Sequence, residues 1–174
     1  MTYFAAALTR DGKKWTGEEF DLDEVEDLDD VVEQLRSVAG DESDAAVLFV
    51  EEDDEWFGVL RLDGDGEPRV FVSDARAVGS SGRAALLAEA ALETTIDDDE
   101  YDDDEVDVED DGEEEGTSTD IEPLGDTTLL GDLGTPPRRL LDLCAEEGQL
   151  PADVITEICA SAGCLDVMER LRGE

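Results

Sequence analysis

A run of carboxylates near the middle of the chain is the strongest constraint on how it folds. Between Asp97 and Glu115, 15 of 19 residues are Asp or Glu, and none is basic. Like charges at this density repel one another, so the run cannot collapse into a core. The sequence therefore predicts three parts: an α+β domain at 1–95, an acidic disordered linker at 96–127 and a small helical module at 128–174.

The acidity extends beyond this run. The formal net charge is −40 over 174 residues, although apolar residues make up 40% of the chain and are enough for a folded core. So negative a surface repels phosphate backbones and anionic lipid headgroups, and we expect neither direct nucleic-acid binding nor a membrane partner. No apolar stretch approaches the roughly 20 residues of a spanning helix, and no secretory signal opens the chain. We therefore expect a cytoplasmic protein.

Residues 1–95 have the pattern of an antiparallel sheet with two helices. Apolar stretches bounded by short turns are typical of strands. The strands are expected near 3–8, 14–20, 45–50, 56–62 and 70–72. Apolar residues at helical spacing predict helices near 28–39 and 83–92. This order, ββαβββα, indicates a mostly antiparallel five-stranded sheet with helices on one face.

The C-terminal module has the pattern of three short helices. Pro137 and Pro151 stand at predicted helix starts, where a missing amide hydrogen costs little. Gly148 and Gly163 follow predicted helix ends. About 45 residues bury only a marginal core. The sequence leaves open whether this module packs on the first domain.

All three cysteines lie in this module. Cys144, Cys159 and Cys164 are spaced C-x14-C-x4-C, without a CxxC pair. Their odd number and the lack of an export signal indicate reduced thiols. The chain has no histidine, so a zinc site would need three thiolates and a carboxylate at unusual spacing. We predict no metal site and no cofactor, and we interpret Cys144 and Cys159 as small core residues.

The sequence contains no recognisable catalytic motif. Without histidine, Ser–His and Cys–His devices are excluded, and no GxSxG, P-loop or GxGxxG motif is present. Asp63–Glu67 superficially resembles a calcium loop, but its sixth and twelfth positions are Pro68 and Asp74, so a hairpin turn is expected. We predict that the protein is not an enzyme. A carboxylate-based, metal-assisted enzyme is the lesser alternative, and it requires a pocket lined by carboxylates with raised pKa values.

Three aromatic residues are the candidate partner-binding residues: Trp15, Trp56 and Phe57. Aromatic side chains are enriched at interaction hot spots. Trp56 and Phe57 are adjacent in a predicted strand, so one of them must point away from the helices. Either that face is covered by a loop or by the C-terminal module, or it is open. An open face would bind a protein partner or form a homodimer.

Three segments of the sequence resemble a known family. They are Tyr3–Ala7, Val47–Arg61 and Pro68–Arg76. Together they resemble the tRNA adenosine deaminase-associated proteins of actinobacteria, which are named for an association, chiefly genomic, with that deaminase. The resemblance implies an accessory role and carries over no catalytic residue. The chain itself lacks the H-x-E and P-C-x-x-C motifs with which the deaminase holds its zinc.

Two functions follow from these observations. The first is a non-catalytic, cytoplasmic accessory or regulatory protein that binds a protein partner, namely a tRNA adenosine deaminase or another basic protein. The second is an acidic nucleic-acid mimic, in which the carboxylates of 97–115 occupy a basic tRNA-binding surface.

Overall fold

The structure is a computed structural model, and it describes residues 2–64, 66–94, 123–146 and 148–173. The acidic run at 97–115 lies outside the described residues, as does most of the predicted linker at 96–127. The last residues of that linker, 123–127, are described.

Within the described residues, six strands form one antiparallel sheet. They are β1 (Tyr3–Asp11), β2 (Lys14–Glu19), β3 (Ala45–Glu52), β4 (Trp56–Leu62), β5 (Arg69–Val72) and β6 (Leu124–Gly125). Their spatial order is β2–β1–β3–β4–β5–β6, and every neighbouring pair is antiparallel. The five helices of the described chain are α1 (Leu28–Ala39), α2 (Gly82–Thr94), α3 (Pro137–Ala145), α4 (Pro151–Ala162) and α5 (Leu165–Gly173). The α+β class predicted from the sequence is confirmed.

The sheet has one strand more than the five predicted. Leu124 and Gly125, which the sequence places in the linker, pair with Val72 and Phe71 of β5. Two residues cannot show a period-2 pattern, so sequence reasoning had no signal for this strand. The pairing brings the chain back to the sheet immediately before the C-terminal helices.

Local sequence explains the boundaries of α1. The Asp27 carboxylate accepts a hydrogen bond from the Asp30 amide and caps the first turn. Gly40 ends the helix with φ at 68°, a left-handed value that favours glycine. The inward residues, among them Val31 and Leu35, recur at helical spacing and are fully buried.

Helices cover both faces of the sheet. On one face, α1 and α2 share a core with residues of the sheet such as Leu48 and Leu60. On the other face, helices α3, α4 and α5 share a second core with Leu8, Phe49 and Phe57. The sequence left open whether the C-terminal module packs on the first domain. In the structure, the C-terminal helices pack on the sheet. The division into units at 1–95 and 128–174 stays a prediction.

Gly125 is the residue on which the sixth strand depends most. Its φ is +103°, and an added Cβ would lie 2.1 Å from the Val70 carbonyl oxygen. We therefore expect Gly125→Ala to lower the free energy of unfolding, measured by urea denaturation, by about 2 kcal/mol or more.

Gly131→Ala is the matched control, because nothing lies within 4 Å of an added Cβ there. It should change the free energy of unfolding by less than about 0.5 kcal/mol. Equal effects of the two substitutions would contradict the close packing of β6 on β5.

Candidate partner-binding surface

The three candidate aromatic residues differ in their exposure. Trp56 and Phe57 are only 3% and 2% exposed, and they belong to the cores on opposite faces of the sheet. Trp15 is half-buried, and its indole N–H donates to the Ala162 carbonyl oxygen at 3.2 Å. Partner binding by these residues stays a prediction. In the described conformation, Trp56 and Phe57 offer almost no surface to a partner.

Phe57 is the aromatic that points away from α1 and α2. It lies near Phe71, with 6.0 Å between the ring centroids, in the core that α3–α5 complete. The C-terminal helices therefore cover the face that the sequence allowed to be open. Among the described residues, the large apolar side chains that remain exposed are Leu141 and Leu150, at 41% and 47%.

Arg61 attaches the C-terminal segment to the sheet. It is 5% exposed and lies within β4. Its guanidinium donates to the Leu129 carbonyl oxygen at 2.6 Å and to the Asp132 carboxylate, with 2.8 Å between Nη2 and Oδ2. Its Nε donates to Asp63 at 2.9 Å. Asp63 begins the connection between the antiparallel strands β4 and β5, which agrees with the predicted hairpin turn, and its carboxylate binds an arginine.

Two adjacent glutamates at the end of β3 bind the two helical layers. Glu52 points to one face and accepts from Arg83 of α2 at 3.1 Å. Glu51 points to the other face and accepts from Arg172 of α5 at 2.8 Å. Strand side chains alternate between faces, so one Glu-Glu pair reaches both layers.

Each arginine of this arrangement also lies over an aromatic ring of β1. Arg83 lies 3.7 Å from the centroid of the Tyr3 ring, and Arg172 lies 5.0 Å from that of Phe4. Tyr3 is the cross-strand partner of Glu52, and Phe4 is that of Glu51. Cation–π contacts of this kind add to the ion pairs. Sequence reasoning missed these residues, although the two adjacent glutamates that end the apolar run of β3 were a usable signal.

The cysteines are buried in the second core and are free thiols. Burial raises the pKa of Cys144 to about 12. A hydrogen bond with Cys164, together with burial, also raises the pKa of Cys159. Both thiols are therefore protonated at neutral pH and are poor nucleophiles. Within the described ranges, no three Asp, Glu, Cys or His side chains are placed to share a metal ion.

Among the described carboxylates, Asp74 and Asp132 are each bound by an arginine. Hydrogen bonds from Arg76 and Arg61 lower the pKa values of Asp74 and Asp132, respectively, which is opposite to what a general acid requires. A depression of about 460 Å³ beside the α3–α4 loop is lined partly by carboxylates. Its Glu157 already accepts from Arg139 at 2.7 Å and from Gln149 at 3.2 Å. The enzyme alternative gains no support here.

Comparison with known proteins identifies the family. The family model described as Rv3753c-like tRNA adenosine deaminase-associated protein matches residues 3–165. The chain belongs to this family. The match spans the described sheet and four of the five described helices, so the resemblance carried by the three segments between Tyr3 and Arg76 is confirmed and extends into the C-terminal part. No curated protein matches the chain, and no solved structure does.

Membership in the tRNA adenosine deaminase-associated family is consistent with an accessory role, since the name denotes a protein associated with the deaminase. Among the described helices, none is both long and apolar enough to span a membrane.

The contacts of Arg61 allow a prediction about the stability of the fold. Arg61→Met removes the donor to the buried Leu129 carbonyl and should lower the free energy of unfolding by about 1–3 kcal/mol. Hydrogen exchange should increase at residues 129–133, which Arg61 holds against the sheet. Arg139→Met is the control, because the Arg139–Glu157 pair is about half exposed on both sides and should contribute at most about 1 kcal/mol. Unchanged exchange at 129–133 would contradict the proposed attachment.

The Arg61–Asp132 pair also predicts a pH dependence. Arg61 holds the pKa of Asp132 below its ordinary 3.8. The pair therefore stabilises the fold above the unfolded-state pKa, and this contribution is lost as the pH falls through the folded-state pKa. The difference in unfolding free energy between the wild type and Asp132→Asn should be constant above about pH 5 and should disappear under stronger acid. Urea denaturation at several pH values measures it, and a difference that persists in strong acid would be contrary to this account.

Proposed function

We propose that this protein is a non-catalytic, cytoplasmic accessory protein that regulates a tRNA adenosine deaminase by binding to it. The family to which the chain belongs carries the proposal. The lack of histidine and the high pKa of the buried Cys144 thiol agree with a role outside catalysis. The protein would act by occupying a surface of its partner or by orienting that partner.

Charge is the physical basis that we propose for this binding. Helices cover both faces of the sheet, so docking on a sheet face would require α3–α5 to move away. The chain carries 52 acidic and 12 basic residues, and 15 of the acids lie within 97–115. A partner with a basic surface would be attracted over a distance of about one Debye length, roughly 8 Å at physiological salt.

A second candidate has the same electrostatic origin. The closely spaced carboxylates of 97–115 resemble the charge density of a nucleic-acid backbone. In this version the run occupies the tRNA-binding groove of the deaminase and competes with tRNA. The accessory version instead leaves the groove free and allows a ternary complex.

Calorimetry with the purified deaminase at low salt tests the proposal. Replacing every Asp and Glu of 97–115 by Asn and Gln should weaken binding by at least about tenfold, or 1.4 kcal/mol. A variant with the same residues of 97–115 in scrambled order keeps the charge and should bind like the wild type. No association of the wild-type protein would refute the accessory role. An affinity that is unaffected by neutralisation would refute the electrostatic basis.

Adding tRNA separates the two versions. If the acidic run acts as a mimic, the deaminase should release the protein as tRNA is added. If the protein is an accessory subunit, tRNA should join the complex, and sedimentation velocity should then detect a larger species.

A further inference from the structure

We propose that the free edge of β2 is a self-association site, through which two copies of this chain join their sheets. β2 ends the sheet, and among the described strands it pairs with β1 alone. An unpaired strand edge is a template for a further strand. This inference does not rest on the proposed function.

The backbone groups available at this edge follow from one hydrogen bond. The Phe20 amide, immediately after β2, donates to the Ala5 carbonyl oxygen at 2.9 Å and therefore points toward β1. Backbone groups alternate in direction along a strand. Trp15, Gly17 and Glu19 therefore direct their N–H and C=O groups away from β1, toward the open side. Four of the six residues of β2 are exposed, and the other two, Trp15 and Gly17, are half-buried.

The sequence of this edge is complementary to itself. Residues 13–19 read Lys-Lys-Trp-Thr-Gly-Glu-Glu, with two cations before the central Thr16 and two anions after it. When two copies align antiparallel about Thr16, Lys14 stands opposite Glu18 of the other copy. Lys13, in the turn just before β2, comes near Glu19. The two-fold axis repeats both pairs. Opposite charges directly across an antiparallel pair stabilise it, whereas like charges destabilise it.

The same register suits the uncharged residues. Trp15 stands opposite Gly17 of the second copy, which has no side chain to compete with the Trp15 ring for space. Gly17 itself is covered by Val167 of its own chain, whose Cγ1 would lie 2.9 Å from an added Cβ. The hydrogen bond from Trp15 to Ala162 holds the ring against α4 of its own chain. A shift of two residues, the smallest that keeps the hydrogen-bonding pattern, places Lys14 opposite Thr16 or Phe20 and loses its ion pair. The occupant that best fits the edge is therefore a second copy.

The large negative charge of each chain opposes this association. Salt screens the long-range repulsion more strongly than it screens contact pairs, so the test is best made near 0.3 M NaCl, with a Debye length of about 5–6 Å. Sedimentation equilibrium of the full chain should then give a species of twice the 18.9 kDa chain mass. A wild type that remains monomeric up to about 0.5 mM would overturn the proposal.

Charge reversal tests the register. Lys14→Glu places Glu opposite Glu18, and Glu18→Lys places Lys opposite Lys14, so each variant should self-associate at least about tenfold more weakly than the wild type. Mixed together, the two variants have both pairs restored and should form a heterodimer. The double variant, with the two charges exchanged, should dimerise again.

Matched controls separate the register from net charge. Arg138→Glu on α3 removes a positive charge as Lys14→Glu does, and Glu33→Lys on α1 reverses an exposed acid as Glu18→Lys does. Both controls should dimerise like the wild type. Single variants that dimerise as strongly as their controls, or a mixture that remains monomeric, would disprove the β2 register.

Discussion

The sheet is apolar on both of its faces, and each face must therefore be covered. All seven residues of β4 are buried, as are seven of the eight in β3. If α3–α5 were absent, Phe49, Phe57 and Phe71 would be exposed on one face. Each large apolar side chain left in water costs about 1.5–3 kcal/mol. The C-terminal helices therefore belong to the core of the described chain, although the acidic run separates them from the sheet in sequence.

Electrostatics acts against this compact arrangement. A net charge of −40 favours expansion through self-repulsion. Arginine ion pairs oppose it at the junctions between layers: Arg61 binds Asp132, Arg83 binds Glu52 and Arg172 binds Glu51. Each of these pairs joins the sheet to another element. Three of the twelve basic residues are thus placed where two layers meet.

The candidate site shows which features the sequence could predict and which it could not. Strand alternation correctly placed Trp56 and Phe57 on opposite faces, because side chains alternate in any strand. It could not decide whether the second face is open, since that depends on where residues 128–174 dock. Arg61 and Glu51 were missed for the same reason. Their partners Asp132 and Arg172 lie 71 and 121 residues away in the chain, and no local pattern relates them.

The sequence by itself determined the strands and helices of the first 94 residues, the family and the acidity, because periodicity, turn residues and charge are local properties. The tertiary structure alone decided that a sixth strand forms, that the C-terminal helices cover the second face, and that β2 lies at one edge of the sheet formed by the described strands. These features depend on which distant surfaces bury one another, and their energies arise only when the chain has brought those surfaces together.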